Sequence, residues 1–441
     1  MTGPPLAWLF DGLPIGWQAL FTIDLFLISA LFAWMLVLFW KAIRWLRASR
    51  RTAPPEGSEE ARQWVFLVPA LNEESVIQDS VRRLLAVEAD RVLIVVINDG
   101  SDDLTGERLA EFEADDRVMV LTRQPPKARI GKAAALNDAY SRLGPILADR
   151  GVDRSDVIIG VVDADGRLEP CAPAAVARHF EDPAVGGVQV MVRIYNRAHP
   201  LARMQDVEFA VFGFLFQGGR SGWGTAGMGG SGQFNRLTAL DAISDAAGPW
   251  KDRLTEDQDL GLRLVSAGFK SRQDLSVHVG QQGLSSLRTL CRQRVRWAQG
   301  NLECLALAPQ CVRAPLPVSA RMDLLVQMLM PLWQSIVGVG ILAAVGLAVT
   351  GTAGFIGGLS PERAGFLYLL AFGGVVLGCV ARGYMYSRIK GMFRGLLLAQ
   401  VYALYSWILW PVLVGSISRH VRGRNSWSKT EREPVPSGIG D

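Results

Sequence analysis

The sequence predicts an α/β domain, built on a doubly wound sheet of mainly parallel strands, attached to helices that cross a membrane. Three observations carry that prediction. "WVFLVPAL" (64–71), "RVLIVVIND" (91–99) and "DVIIGVVDADG" (156–166) are continuous apolar runs of strand length, the pattern of parallel strands covered on both faces. Segments with helical spacing of apolar residues, "EESVIQDSVRRLLAVEA" and "GKAAALNDAYSRL", lie between such strands, with "RVMVLTR" (117–123) as a further strand. Long apolar runs flank this region. Residues 19–40 hold one charge, Asp24, and uncharged runs return at 324–349, 364–381 and 395–418.

The elements follow in order. Residues 1–51 read as a retained membrane anchor with a basic edge: the apolar core is longer than a signal peptide's and has no basic lead. Lys41, Arg44, Arg47, Arg50 and Arg51 follow it, whereas residues 1–40 contain no Lys or Arg. The positive-inside rule therefore places the soluble domain, 52–300, in the cytoplasm. "TAPPEGSEEA" (52–61) is its leading linker. The run from 201 to 237 is rich in Gly and aromatics and is expected to be irregular, approaching a ligand closely with its backbone. Residues 301–323 are short apolar stretches broken by Pro, suited to interfacial helices. Transmembrane helices are expected over 324–418, and a basic tail over 419–441.

Composition excludes several classes. Hydrophobic residues make up 49% of the 441, with 13 Trp, and the net charge of +4 sits largely beside the apolar runs. The expected partner of that charge is anionic membrane lipid rather than nucleic acid. The five cysteines form no CxxC pair, as suits a reducing compartment without structural zinc. "GTAGMG" does not directly follow a buried strand, and "IGKAAA" lacks the rest of a phosphate-binding loop.

Chemistry-bearing residues gather at strand ends, where open α/β sheets bind ligands. Asn72 and Glu73 follow the first strand, Asp99 ends the second, and Asp163 and Asp165 end the fourth. Alternate residues of an extended chain project the same way, so Asp163 and Asp165 are expected to share a pocket and hold Mg²⁺ or Mn²⁺. A solvated turn after the strand is the plainer alternative. In "RLTEDQDLGLRL" (253–264), Glu256, Asp257 and Asp259 crowd a helix start that Thr255 can cap. In "QRVRWAQG" (293–300), Gln293, Arg296 and Trp297 fall on one helical face, offering a guanidinium fork and a flat ring. An amphipathic membrane-surface helix uses the same residue types.

In order, "VPALNEE", "VINDGSDD", "GKAAALND", "DAD", "GGSGQFNR", "TED" and "QRVRW" resemble the motifs of membrane-integrated family 2 glycosyltransferases, with "SWSKTER" (426–432) like their tail motif. These include synthases of cellulose, chitin, hyaluronan, β-mannan and poly-N-acetylglucosamine. The resemblance implies a GT-A-like domain and an inverting transfer from a UDP-sugar to a growing β-linked polysaccharide. It implies that Asn72, Glu73 and Asp99 hold uracil and ribose, with Lys132 nearby. Asp163 and Asp165 would bind the metal and the diphosphate, and Gln293 and Arg296 would grip that diphosphate. Asp257 would be the general base, with Glu256 beside it at the acceptor. Trp297, Gly232 and Gln233 would line the acceptor site. Glucosylceramide synthases are similar in motif order, so transfer of one sugar to a membrane lipid is the alternative.

Export of a polymer would ask for a channel, hence an accessory subunit or a homo-oligomer. One anchor plus three later spans puts the C-terminus outside, yet "RHVRGRNSWSKTER" is basic. The run 395–418, with Pro411, is therefore expected to be re-entrant or interfacial, keeping the tail inside.

Overall fold

A computed structural model describes residues 13–51, 57–350 and 361–423. The chain enters through helix α1 (Ile15–Arg51) and then builds the first half of a sheet. Strands β1 (Gln63–Ala70), β2 (Val92–Asn98) and β3 (Val118–Thr122) alternate with helices α2 (Ile77–Leu85), α3 (Thr105–Ala110) and α4 (Lys132–Asp149). Strand β4 (Val157–Val161) completes a parallel set in the order β3-β2-β1-β4. Trp64, Phe66 and Val68 bury against one core, Val65 and Leu67 against the other. Both faces are covered, which is why these strands read as unbroken apolar runs.

The second half of the sheet departs from the expected parallel pattern. Strands β5 (Arg167–Leu168), β6 (Val185–Ile194), β7 (Gln233–Arg236) and β8 (Lys270–Gln281) extend it to eight strands, and β7 runs antiparallel to both β4 and β6. Helix α5 (Ala172–Ala177) packs beneath this half.

The Gly- and aromatic-rich region is more helical than its composition predicts. Helix α6 (Pro200–Val211) continues through a π-helical segment, Phe212–Gln217, into α7 (Gly218–Ser221). Irregular backbone begins only after Ser221. Helix packing overrides the glycines here: Gly219 lies against the backbone of Leu38 in α1, so closely that no side chain would fit. Helices α8 (Leu237–Ile243), α9 (Glu256–Ser266) and α10 (Leu287–Glu303) follow, α10 running past the expected domain limit at 300. A short α11 (Ala308–Arg313) then leads to α12 (Val318–Val349).

Helix α13 (Pro361–Val421) is continuous in backbone conformation but doubles back. Tyr368 Oη lies 2.5 Å from Gln400 Oε1, whereas 32 residues of straight helix would span about 48 Å. Gly383 and Gly391 meet at the fold, where neither leaves room for a side chain. Among the described residues, three helical segments are long and apolar enough to cross a membrane, Ile15–Arg50, Val318–Leu347 and Ile389–Val421; Leu367–Gly383 is a shorter apolar one.

Each of these segments has an end fastened to the α/β domain. Trp45 Nε1 donates to Gln273 O at 2.8 Å, and Arg220 pairs with Asp323 at 2.6 Å while Trp34 Nε1 donates to the same carboxylate at 2.9 Å. Arg382 donates to Asp206 at 2.7 Å, and Arg419 to Gln299 at 3.3 Å. The first of these last two contacts lies at the end of the first arm of α13, the second near the end of its second arm. Asp24 packs on Gly340 of α12 and is 4% exposed. The "SWSKTER" segment lies outside the described residues.

Candidate active site

At the carboxyl ends of β1 and β2 two loops clasp each other. Asn72, in the left-handed region with φ 54°, donates through Nδ2 to Asp102 Oδ1 at 2.6 Å and accepts from the Asp102 N–H at 3.0 Å. The Glu73 N–H donates to Thr105 Oγ1 at 2.8 Å. Asp99 is buried and ion-paired with Arg123, which also donates to Lys127 O at 2.5 Å. Burial pushes the Asp99 carboxyl up against the opposing pull of the Arg129 backbone and Arg123. Sequence reasoning passed over Arg123; its signal was a cation directly after a third parallel strand.

Asp163 and Asp165 do not continue the strand as alternation predicted. β4 ends at Val161, and the Gly166 N–H closes a turn onto Asp163 O at 2.7 Å. The two side chains therefore take different neighbours. Lys132 Nζ, at the first position of α4, donates to Asp163 Oδ1 at 2.6 Å, while Asp165 Oδ2 accepts from the Gln282 N–H at 2.9 Å. Lys132 also lies 3.5 Å from Glu256 Oε1. Burial opposes its charge, yet Asp163, Glu256 and Asp257 together push its pKa up.

Asp257 faces this group from the start of α9. A carbon added at Gly230 would lie 3.1 Å from Lys132 Nζ, 3.4 Å from Asp257 Oδ2 and 3.8 Å from Asp163 Oδ2. One bare backbone position thus sits among the lysine and both carboxylates. Burial, then the Glu256 charge, pushes the Asp257 carboxyl up to about 7, against the pull of Lys132. Asp257 itself is only half-buried.

The rest of the acidic cluster has other duties. Thr255 precedes α9 but its side chain caps no N–H; it points at Gly300 of α10. Asp259 pairs with Arg263 at 2.6 Å instead of capping.

Gly232 and Gln233 are placed in the sheet rather than along a pocket wall. Gly232 has φ +72°, its N–H donates to Val161 O, and Val190 and Val279 fill the space where a side chain would go. Gln233 is fully buried beside Asn235. The part of this stretch that faces the carboxylates is Gly230. Gln189 Oε1 holds the Gly229 N–H at 2.7 Å, and Gln217, ending the π-helical segment, holds the Gly227 N–H at 2.7 Å.

Helix α10 carries Gln293, Arg296 and Trp297, all partly exposed. Its centre is organised by Arg294, which sequence reasoning did not single out. Arg294 pairs with Glu208 at 2.7 Å, donates to Gln293 Oε1 at 2.8 Å and lies 4.2 Å over the Trp297 ring. Phe209 meets Trp297 edge-on at 6.0 Å, and Tyr405 of α13 also donates to Glu208 at 2.9 Å. The C-terminal half of α10 abuts the turn before Asp257, with Gly300 against Thr255.

Residues 62–300, more than half of the chain, match the family described as Glycosyltransferase like family 2, and the protein belongs to it. The soluble domain has the GT-A-like α/β fold. Among similar proteins, "Probable glycosyltransferase YdaM" of Bacillus subtilis is 31% identical over 293 residues, which are 64% of this chain and 66% of that protein. Beta-monoglucosyldiacylglycerol synthase of Synechocystis is 29% identical over 65% of this chain and 59% of its own length. Poly-beta-1,6-N-acetyl-D-glucosamine synthase of Staphylococcus aureus is 28% identical over 59% of this chain and 60% of its own. The chain thus spans less than two thirds of these relatives. A solved structure, the mannosyltransferase PcManGT from Pyrobaculum calidifontis with GDP-Man and Mn²⁺, aligns with 92% of this chain and 99% of its own at TM-score 0.60 and 20% identity. That likeness is one of fold.

Proposed function

We propose that this glycosyltransferase moves a sugar with inversion from a UDP-sugar to the end of a growing β-linked polysaccharide, at the cytoplasmic face of the membrane. The carrying observation is Asp257: half-buried, raised to about 7, and set across Gly230 from Lys132 and Asp163. In the proposed reaction, Asp257 takes the proton from an acceptor hydroxyl. The hydroxyl oxygen bonds to the anomeric carbon as that carbon's bond to the phosphate oxygen breaks, and UDP departs with the electron pair. Lys132, and Arg296 and Gln293 on α10, meet the charge that develops on the diphosphate. Asn72, Glu73 and Asp99 hold the nucleoside across the clasped loops, and Trp297 stacks on the acceptor sugar.

Asp163 and Asp165 lie on one turn, and their carboxylate oxygens, hard donors of the kind Mg²⁺ and Mn²⁺ take, would hold such an ion. When bound, it would supply positive charge at the leaving group. Mn²⁺ in the PcManGT structure supports the same reading. The basic residues after α1 support a cytoplasmic domain held against anionic lipid.

A second reading is transfer of a single sugar to a membrane lipid, favoured by the similarity to a beta-monoglucosyldiacylglycerol synthase. One experiment separates the two. Purified protein in lipid is given Mg²⁺ or Mn²⁺ and a panel of UDP-sugars, UDP release is followed, and the product is sized. A high-mass, β-glycosidase-sensitive product supports the synthase, whereas a lipid-extractable product with one sugar moves the assignment to the lipid transferase.

A further inference from the structure

Helix α12 contains Pro331, and proline has no N–H to give. The carbonyl four residues earlier, on Gln327, therefore lacks its helical partner. In an apolar helix such a group needs another donor, because lipid supplies none. The structure shows which donor it finds. Asn301, in the last turn of α10, donates through Nδ2 to Gln327 O at 2.9 Å. The other end of the same amide is also used: Asn301 Oδ1 accepts from Gln258 Nε2 at 2.6 Å. Gln258 in turn donates its backbone N–H to Asp257 Oδ1 at 2.8 Å.

We propose that the carbonyl freed by Pro331 sets the position of Asp257 through Asn301 and Gln258, fixing the reacting carboxylate relative to a membrane-spanning helix. The inference rests on Asp257 being the base, as argued above. Pro331, Asn301 and Gln258 are positioning residues in it, since none needs to touch substrate. Both faces of one amide are engaged, donor toward the membrane helix and acceptor toward the active-site helix, so a shift of α12 is felt at the first turn of α9. An acceptor presented at the bilayer surface then meets a base whose height above that surface is set by α12 itself.

The test uses the full chain in lipid, with kcat and donor KM from UDP release and the melting temperature as a check on folding. Asn301→Ala is expected to lower kcat about 10-fold while donor KM stays within about twofold, because misplacing a reacting group slows chemistry without weakening donor binding. Asn301→Asp keeps the acceptor for Gln258 but turns a carboxylate on the Gln327 carbonyl, and is expected to match Asn301→Ala. Pro331→Ala restores an N–H that competes for that carbonyl. It is expected to lower kcat about threefold without lowering the melting temperature, and to add nothing in the Asn301→Ala background, because coupled sites are not additive.

Unchanged kcat in folded Asn301→Ala, or independent losses in the double variant, overturns the relay. If Asn301→Ala does not fold, Pro331→Ala decides alone, and its unchanged kcat also overturns it. Asp257→Asn separates the two layers. Activity retained there removes the base assignment, whereas activity lost there but kept in Asn301→Ala removes only the relay.

Discussion

Asp257 is a carboxylate made basic by its surroundings, and its consequences are measurable. Asp257→Asn is expected to cut kcat by roughly 10²–10⁴-fold while nucleotide binding, followed by titration calorimetry, is retained. The wild-type rate should rise with pH through about 7 and level off above it, since the base must be ionised. Stability should move the other way. The folded chain holds this proton up to about 7, while the unfolded chain releases it near 3.8, the ordinary value for an aspartate. Between those values the folded form binds more protons, so stability declines as pH rises. Asp257→Asn removes that cost, and its melting temperature at pH 7.5 should exceed wild type by roughly a few degrees. At this scale the sequence was legible where a polar residue follows a buried strand or opens a helix, as with Asp163, Lys132 and Asp257. Arg123, Arg294 and Asn301 were not, because their partners lie on elements remote in the chain.

Among elements, the packing of α10 on α9 joins the arginine- and tryptophan-bearing helix to the helix that carries Asp257. A carbon added at Gly300 would come 2.5 Å from Thr255 Oγ1 and 2.6 Å from its Cγ2, with Thr255 two residues before Asp257. Gly300→Val should therefore push the helices apart, costing about 1–3 kcal/mol and lowering kcat, as read by thermal unfolding and UDP release. Gly346, with nothing within 4 Å of its added carbon, is the control: Gly346→Ala should leave kcat unchanged and hold or slightly raise the melting temperature, as a helical alanine does. β1, β2 and β4 announced themselves because both their faces are buried; β3, at the sheet edge, is only partly so. β6 and β8 did not: glycines and polar residues interrupt "VGGVQVMVRI" and "KSRQDLSVHVGQ", and long-range pairing makes them strands. The helical run through Phe212–Gln217 was hidden for the opposite reason, since its glycines serve close packing against α1 and β6 rather than a turn.

For the whole molecule, the decisive feature is the doubled-back α13. Arg382, at the end of its first arm, and Arg419, near the end of its second, both touch domain residues, and the basic tail is expected on the same side of the membrane as the domain. A cysteine placed at Lys429, in a chain whose own five cysteines are replaced, should resist an impermeant thiol reagent added outside intact cells and react after the membrane is opened. Labelling from outside would mean that the arm crosses. The same arm also imposes an order in time. Tyr405 lies 197 positions after its partner Glu208, which shares Arg294 with it beside Trp297. While the chain is being made, the sheet can close and the two loops after β1 and β2 can clasp long before that tyrosine has left the ribosome. The Arg294 and Trp297 face of α10, by contrast, waits for it. If those loops hold the nucleoside and Trp297 the acceptor, as proposed, a nascent enzyme gains its donor site early and its full acceptor site late, limiting sugar transfer until the membrane helices are in place.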